Sequence, residues 1–319
     1  MGDVFVVTEH LQRELTDTSF EVVGMARAVA AQTGGQVVAA VVGSGVSDMA
    51  GRLGGADKVV VVDDPALEVF NPEGHARVFT ALAEGFDVVL VPYTSMGMDV
   101  ASDMAVRSGR PLVSFCTEVR AADGLGATCQ LYAGKIEADV VVDGGQAIFA
   151  VLSGSGSADE GRSGGAGAVE IVASPVGLGD LAVECLGVAE PEAGDVDITT
   201  QDVLVVVGRG IESEDNIEEA QELADALGGA LAASRPIVDQ GWLPKTRQVG
   251  KSGLTVKPKV YLTLGVSGAP EHVEGMKDAE VIISVNTDPQ APIFGVAHYG
   301  WVGDLFDLLP ELIDRIESD

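Results

Sequence analysis

The chain has 319 residues, 46% of them hydrophobic and only 5% aromatic, which is enough for about two domains with packed cores. Asp and Glu number 49 against 19 Lys and Arg, a formal charge of −30 that repels nucleic acid and anionic membranes and excludes both as partners. The acids are spread along the whole chain and Arg (12) outnumbers Lys (7), a pattern that points to adaptation to concentrated salt.

No apolar run approaches the roughly 20 residues that span a bilayer, so no integral membrane segment is expected. Met1-Gly-Asp-Val offers no basic leader, which predicts no signal peptide and a cytoplasmic protein. Cys116, Cys129 and Cys185 lack metal-like or paired spacing and are expected to be buried thiols of a reducing compartment.

The first half alternates strands and helices. Residues 3–7, 36–42, 58–62 and 87–92 are short apolar runs of buried-strand length. Thr18 and Glu21 suggest a capping box for a helix that Gly34-Gly35 stops, and 75–85 and 98–108 read as further helices. This is the rhythm of a parallel α/β sheet. After Pro111 the runs 113–119, 127–133, 136–142 and 147–152, separated by Gly-containing turns, predict added antiparallel strands. Residues 153–167 (SGSGSADEGRSGGAG) read as a mobile surface loop. The acidic stretch 189–197 (AEPEAGDVD) is the predicted boundary between an N-terminal α/β domain (1–190) and a second domain (198–319).

The second domain restarts the α/β rhythm and predicts a parallel, doubly wound sheet. Strands are expected at 202–207, 229–233, 259–264 and 281–285. Ser213 is the expected cap of a helix to Leu227, and an amphipathic helix is expected at about 303–317. The four strands end in Gly208/Arg209, Ser234/Arg235, Gly265–Gly268 and Asn286. Ligands bind outside the carboxyl ends of such strands.

Seven of the 19 basic residues fall between Arg235 and Lys277, where even spacing would put two or three. With Ser234, Gly250, Ser252, Gly253, Ser267 and Gly268 interleaved, they suggest a phosphate-bearing cofactor. The turn Ser267-Gly268-Ala269-Pro270 can cradle a phosphate or carbonyl at a helix start, though a plain strand-to-helix turn is as good a reading of it alone. Neither it nor Gly208-Arg209-Gly210 completes the G-x-G-x-x-G dinucleotide fingerprint. His272 sits just inside that helix. Spacing alone makes it an ordinary satisfied or exposed imidazole, and the other histidines supply no metal-ligand spacing. No nucleophile elbow or P-loop occurs.

The runs VYLTLGVSGAPEHVEGM (260–276), IISVN (282–286) and TDPQAPIFGVAHYGWVGDLFDLLPEL (287–312) carry a family resemblance, as do GRGIES (208–213), ASRPIVDQGWLP (233–244) and QVGKSG (248–253). Together they resemble the C-terminal domain of electron transfer flavoprotein alpha subunits. QLYAGKIEADVVV (130–142) extends the likeness more loosely into the first half.

The resemblance implies FAD held mainly by the C-terminal domain. The residues it points to are Arg209, Ser234, Arg235, Val249, Gly250, Lys251, Ser252, Ser267, Gly268, Ala269, Pro270, Glu271, His272, Asn286 and Asp304. It implies Arg235 against the isoalloxazine ring, Ser252 near its N5, His272 near its pyrimidine carbonyl, and Arg209 and Asn286 at the phosphate and adenosine portion. It also implies a heterodimer with a beta subunit docked by the N-terminal domain, carrying electrons between dehydrogenases and a quinone-linked or ferredoxin acceptor.

Gly250-Lys251-Ser252-Gly253 and Pro270-Glu271 depart from the commonest pattern and look more like the nitrogen-fixation-type branch. Some members of that branch split electron pairs from NADH with a second FAD in the beta subunit. Two readings stand against this: an NAD-dependent enzyme of similar fold using His272 as acid or base, and a cofactor-free scaffold subunit.

Overall fold

The structure, a computed structural model, describes residues 2–122, 124–132, 134–165, 167–187 and 196–318. The chain forms two compact units, Met1–Val188 and Ala189–Asp319. Most of the predicted boundary stretch 189–197, and the predicted loop and strand positions Ala166 and Ala133, lie outside the described residues.

The first unit is built on uninterrupted apolar runs that are buried on both faces, as a covered parallel sheet requires. These are β1 (Val4–Val7), β4 (Val37–Gly43), β5 (Lys58–Asp63) and β6 (Val88–Pro92), with a two-residue hairpin of β2 (His10–Leu11) and β3 (Glu14–Leu15) after β1. The later strands are β7 (Leu112–Arg120), β8 (Leu125–Leu131), β9 (Ile136–Val142), β10 (Ala147–Val151) and β11 (Ala168–Val172). The nine-stranded order is β11-β5-β4-β1-β6-β10-β7-β8-β9. Only β7–β8 and β8–β9 are antiparallel. The expectation that 147–152 is antiparallel is corrected, because β10 inserts between β6 and β7 and runs parallel to both.

Helices α1 (Asp17–Thr33) and α4 (Ala158–Arg162) cover one face, and α2 (Pro72–Leu82) and α3 (Ser95–Ser108) the other. The cap of α1 is Thr16, whose hydroxyl accepts from the Ser19 N–H, and not Thr18, which instead donates to Glu9. Gly34, at φ 70°, ends the helix as expected of an αL stop.

The segment read as a mobile loop is packed structure. Glycines let α4 meet α1 at backbone distance: a Cβ on Gly24 would lie 2.2 Å from the Ser157 carbonyl, and one on Gly161 2.0 Å from that of Phe20. The expectation that all three cysteines are buried is corrected as well. Cys116 and Cys129 are buried opposite one another on β7 and β8, whereas Cys185 is exposed.

The second unit holds β12 (Val203–Val207), β13 (Ala230–Ala233), β14 (Val260–Leu264), β15 (Val281–Asn286) and β16 (Tyr299–Val302). They form an all-parallel sheet in the order β13-β12-β14-β15-β16. Helices α5 (Ile217–Ala226), α6 (Arg235–Asp239), α7 (Pro270–Glu274) and α8 (Leu305–Ser318) connect or follow them. α5 begins later than the cap expected at Ser213. Glu212 takes a left-handed turn at φ 69°, and the Asn216 amide ties back to the Ile211 carbonyl before the helix starts.

Strand order reverses next to β12, with β13 on one side and β14 on the other. In the first unit it reverses next to β1, flanked by β4 and β6. The carboxyl ends at such reversals are where open α/β sheets bind ligands.

Candidate functional site

A cleft of about 810 Å³ opens at the carboxyl edge of the second sheet. That is within the range of about 300–1,000 Å³ of small-molecule sites. Four of the five strands contribute residues at their carboxyl ends: Arg209 after β12, Ser234 and Arg235 after β13, Ser267 after β14 and Asn286 at the end of β15. The segment between α6 and β14 supplies Val249, Gly250, Lys251 and Ser252, and the start of α7 supplies Ala269, Glu271 and His272.

Three of the fifteen expected residues do not line the cleft. Gly268 packs its backbone against Ile293, and Pro270 opens α7. Asp304 caps α8, its carboxylate accepting from the Phe306 N–H at 3.1 Å.

The wall formed by 248–252 is fixed by its own hydrogen bonds. The Val249 N–H donates to the Ala233 carbonyl and the Lys251 N–H to that of Glu271. Gly250 sits at φ 128°, and a Cβ there would come within 2.8 Å of the Glu271 carbonyl, so only glycine fits. Buried Gln248 holds the Ser252 hydroxyl through its Nε2 at 2.9 Å and takes the Lys245 ammonium at 2.8 Å.

The Arg235 guanidinium is 68% exposed and pairs with Asp239 at 3.2 Å. The Asn286 amide is committed to backbone, donating to the Val266 carbonyl and accepting from the Asp288 N–H.

His272 differs from its neighbours because it is buried. Its Nε2 lies 2.9 Å from the hydroxyl of Tyr261, a fully buried residue of β14, while its Nδ1 makes no close hydrogen bond among the described residues and feels only the weaker pull of the Val249 backbone. Burial pushes the imidazole down to about 4, against a smaller opposing pull from the Val249 carbonyl, so it is neutral near pH 7. Burial also holds the Tyr261 proton on. If the phenol donates to Nε2, its hydrogen is satisfied and the imidazole hydrogen sits on Nδ1. The reverse arrangement would strand a buried O–H. The pair therefore presents an uncharged N–H donor whose tautomer is set from behind.

Tyr261 and Gln248 had no sequence signal beyond their types. The one usable clue was a phenol inside an otherwise aliphatic, fully buried strand, which must find a partner.

The cleft fits a large anionic cofactor. It offers three cations, Arg209, Arg235 and Lys251, a buried nitrogen with no close hydrogen bond among the described residues, and a wall too close for any Cβ. These features define a cofactor-binding α/β domain.

Residues 197–277 match the family described as electron transfer flavoprotein FAD-binding domain, and residues 4–176 match the electron transfer flavoprotein domain. Among curated proteins, an electron transfer flavoprotein subunit alpha of Thermoanaerobacterium thermosaccharolyticum is 34% identical, over 99% of this chain and 98% of its own. Protein FixB of Clostridium saccharobutylicum is 35% identical, over 99% and 96%. The LctC subunit of the lactate dehydrogenase (NAD(+),ferredoxin) of Acetobacterium woodii is 34% identical, over 99% of this chain and 77% of that one.

The chain belongs to the electron transfer flavoprotein alpha-subunit family. FAD is its cofactor, and its relatives named as alpha subunits imply partnership with a beta subunit. The NAD-dependent reading is not favoured, since an imidazole held near 4 is a poor acid or base at neutral pH. No helix among the described residues is long and apolar enough to cross a membrane.

Proposed function

We propose that this chain holds FAD along the carboxyl edge of its second sheet. As one half of a cytoplasmic heterodimer, it passes electrons from an NADH-linked dehydrogenase toward ferredoxin or a quinone-linked acceptor. One observation carries the reading: Arg209, Arg235 and Lys251 converge on a single cleft in a chain of net charge −30. The A. woodii relative, whose name couples NAD(+) and ferredoxin, supports the bifurcating version with a second FAD in the beta subunit.

Bound FAD supplies reversible uptake of one or two electrons. The chain's residues determine how readily. Arg209 neutralises phosphate at the end of β12. Arg235, exposed and permanently charged, would hold the isoalloxazine end and favour negative charge there. Ser252, oriented by Gln248, would serve the ring's redox-active edge. His272 would offer its Nδ1 hydrogen to the pyrimidine end and keep it, because the neutral imidazole does not titrate near pH 7. The Met1–Val188 unit docks the beta subunit.

Co-expression with the beta subunit tests this. FAD is counted per heterodimer, and reduction of ferredoxin is followed with NADH as donor and a high-potential quinone-linked acceptor present to take the second electron of each pair. Two FAD and NADH-dependent ferredoxin reduction are expected. One FAD and no response to NADH would leave a simple carrier, and a colourless complex would overturn the cofactor assignment to this cleft.

A further inference from the structure

The first sheet has its own crevice at the carboxyl edge, beside the reversal between β1 and β6. Its volume is about 260 Å³, just under the range of about 300–1,000 Å³ for drug-sized ligands, and so suited to one or two rings. The walls are mostly apolar, with Leu67, Phe70, Phe79, Met96 and Val100 among them.

At such a reversal the helix N-termini would ordinarily receive a phosphate. Here the position is taken by the chain itself. Glu9, only 8% exposed, accepts from the Thr18 hydroxyl at 2.9 Å, from Thr16 at 3.3 Å and from Thr94 at 2.6 Å. Thr16 and Thr94 are the N-caps of α1 and α3. One carboxylate thus satisfies the positive ends of two long helices. A second anion brought into the crevice would meet a carboxylate that already occupies the positive ends of both helices.

His75 is the second buried ionisable group of the crevice, whose lining also includes Gln12, Arg13, Ser44 and Glu68. It is 6% exposed and lines the crevice, with its ring 5.0 Å from that of Phe70. Its Nδ1 lies 2.9 Å from the Asn71 carbonyl and 3.3 Å from the Asn71 N–H; the shorter contact places the hydrogen on Nδ1, which donates to the carbonyl, and no described residue takes Nε2. Burial holds the ring neutral, leaving Nε2 as an acceptor. His10, on β2, is turned away to the Val42 carbonyl at 3.2 Å, and Arg13 to that of Gly45.

We propose that this crevice is a binding site for a small, uncharged one- or two-ring molecule carrying one N–H or O–H donor. The donor pairs with His75 Nε2, and Glu9 excludes anionic ligands. The site is independent of the flavin cleft and does not rest on the reading of that cleft.

Three probes of similar shape test it on the FAD-loaded heterodimer by ligand-observed NMR titration: indole, 1-methylindole and indole-3-carboxylate. Indole is expected to bind with a dissociation constant no weaker than about 1 mM. 1-Methylindole, lacking the donor, should bind at least about tenfold more weakly, and indole-3-carboxylate should show no binding in the same range. Met96→Trp, which fills the crevice from α3, should abolish indole binding without changing FAD content. Failure of indole to bind the wild-type complex would overturn the proposal. So would equal binding of the methylated or anionic probe, or indole binding undiminished in Met96→Trp.

Discussion

Replacing Tyr261 by Phe removes one oxygen from the centre of the second unit and leaves the ring in place. In the wild-type protein that hydroxyl is fully buried and its single partner is His272 Nε2 at 2.9 Å. Without it, a buried imidazole nitrogen is left unpaired, which costs about 1–3 kcal/mol. At this unit's size each kcal/mol is worth roughly 2–8 °C in Tm.

His272→Phe should cost a similar amount by stranding the phenol hydrogen instead. The double variant, with both partners apolar, removes the mismatch. The two single losses together should therefore exceed the double loss by about 2–6 kcal/mol in a denaturant double-mutant cycle on the apo chain. Additivity within about 0.5 kcal/mol would show that the two groups do not interact. The argument that Tyr261 fixes the His272 tautomer would then fail.

Arg235→Ala should leave the fold intact, because the side chain is largely exposed and its partner is Asp239. A fixed cation about 4 Å from the ring is worth from about 1 kcal/mol in water to about 4 at an effective dielectric of 20. The first flavin reduction potential should accordingly fall by roughly 40–170 mV in spectroelectrochemical titration, and a smaller shift removes Arg235 from that role. His75 and His272 are both held down to about 4 from an ordinary 6.5, so the unfolded chain binds their protons first as pH falls. Their contribution is fully present above about pH 6.5 and is lost toward pH 4, worth on the order of 3 kcal/mol each. Urea midpoints measured from pH 7 to 4 should decline over that window in wild type and less steeply in His272→Phe. With a net charge of −30, Tm should rise between dilute buffer and multimolar KCl, and an unchanged Tm would refute salt adaptation. A thiol reagent should modify Cys185 alone in the native chain, because Cys116 and Cys129 are buried and burial raises both thiols.

Buried parallel strands were legible because they must be apolar throughout, as in VVAAVVG and VVLVP. Their direction was not, since β10 would read the same in either orientation. Residues 153–167 misled because glycine marks both freedom and close packing, and only the facing backbone of α1 tells the two apart. The site's outline was visible in the cations and small residues that follow each strand of the second unit. Its inner support was not: Tyr261 and Gln248 act through partners distant in sequence, and Asn286 spends its amide on neighbouring backbone.

β16 closes one side of the second sheet and pairs only with β15. Tyr299, Trp301 and Val302 along it are exposed. A bare strand margin with apolar side chains invites another copy to add itself as a further strand. Mutual repulsion between highly acidic chains is the natural guard against such stacking, and it weakens as ions screen it. The same brine that relieves crowding among the carboxylates would therefore make this margin more adhesive.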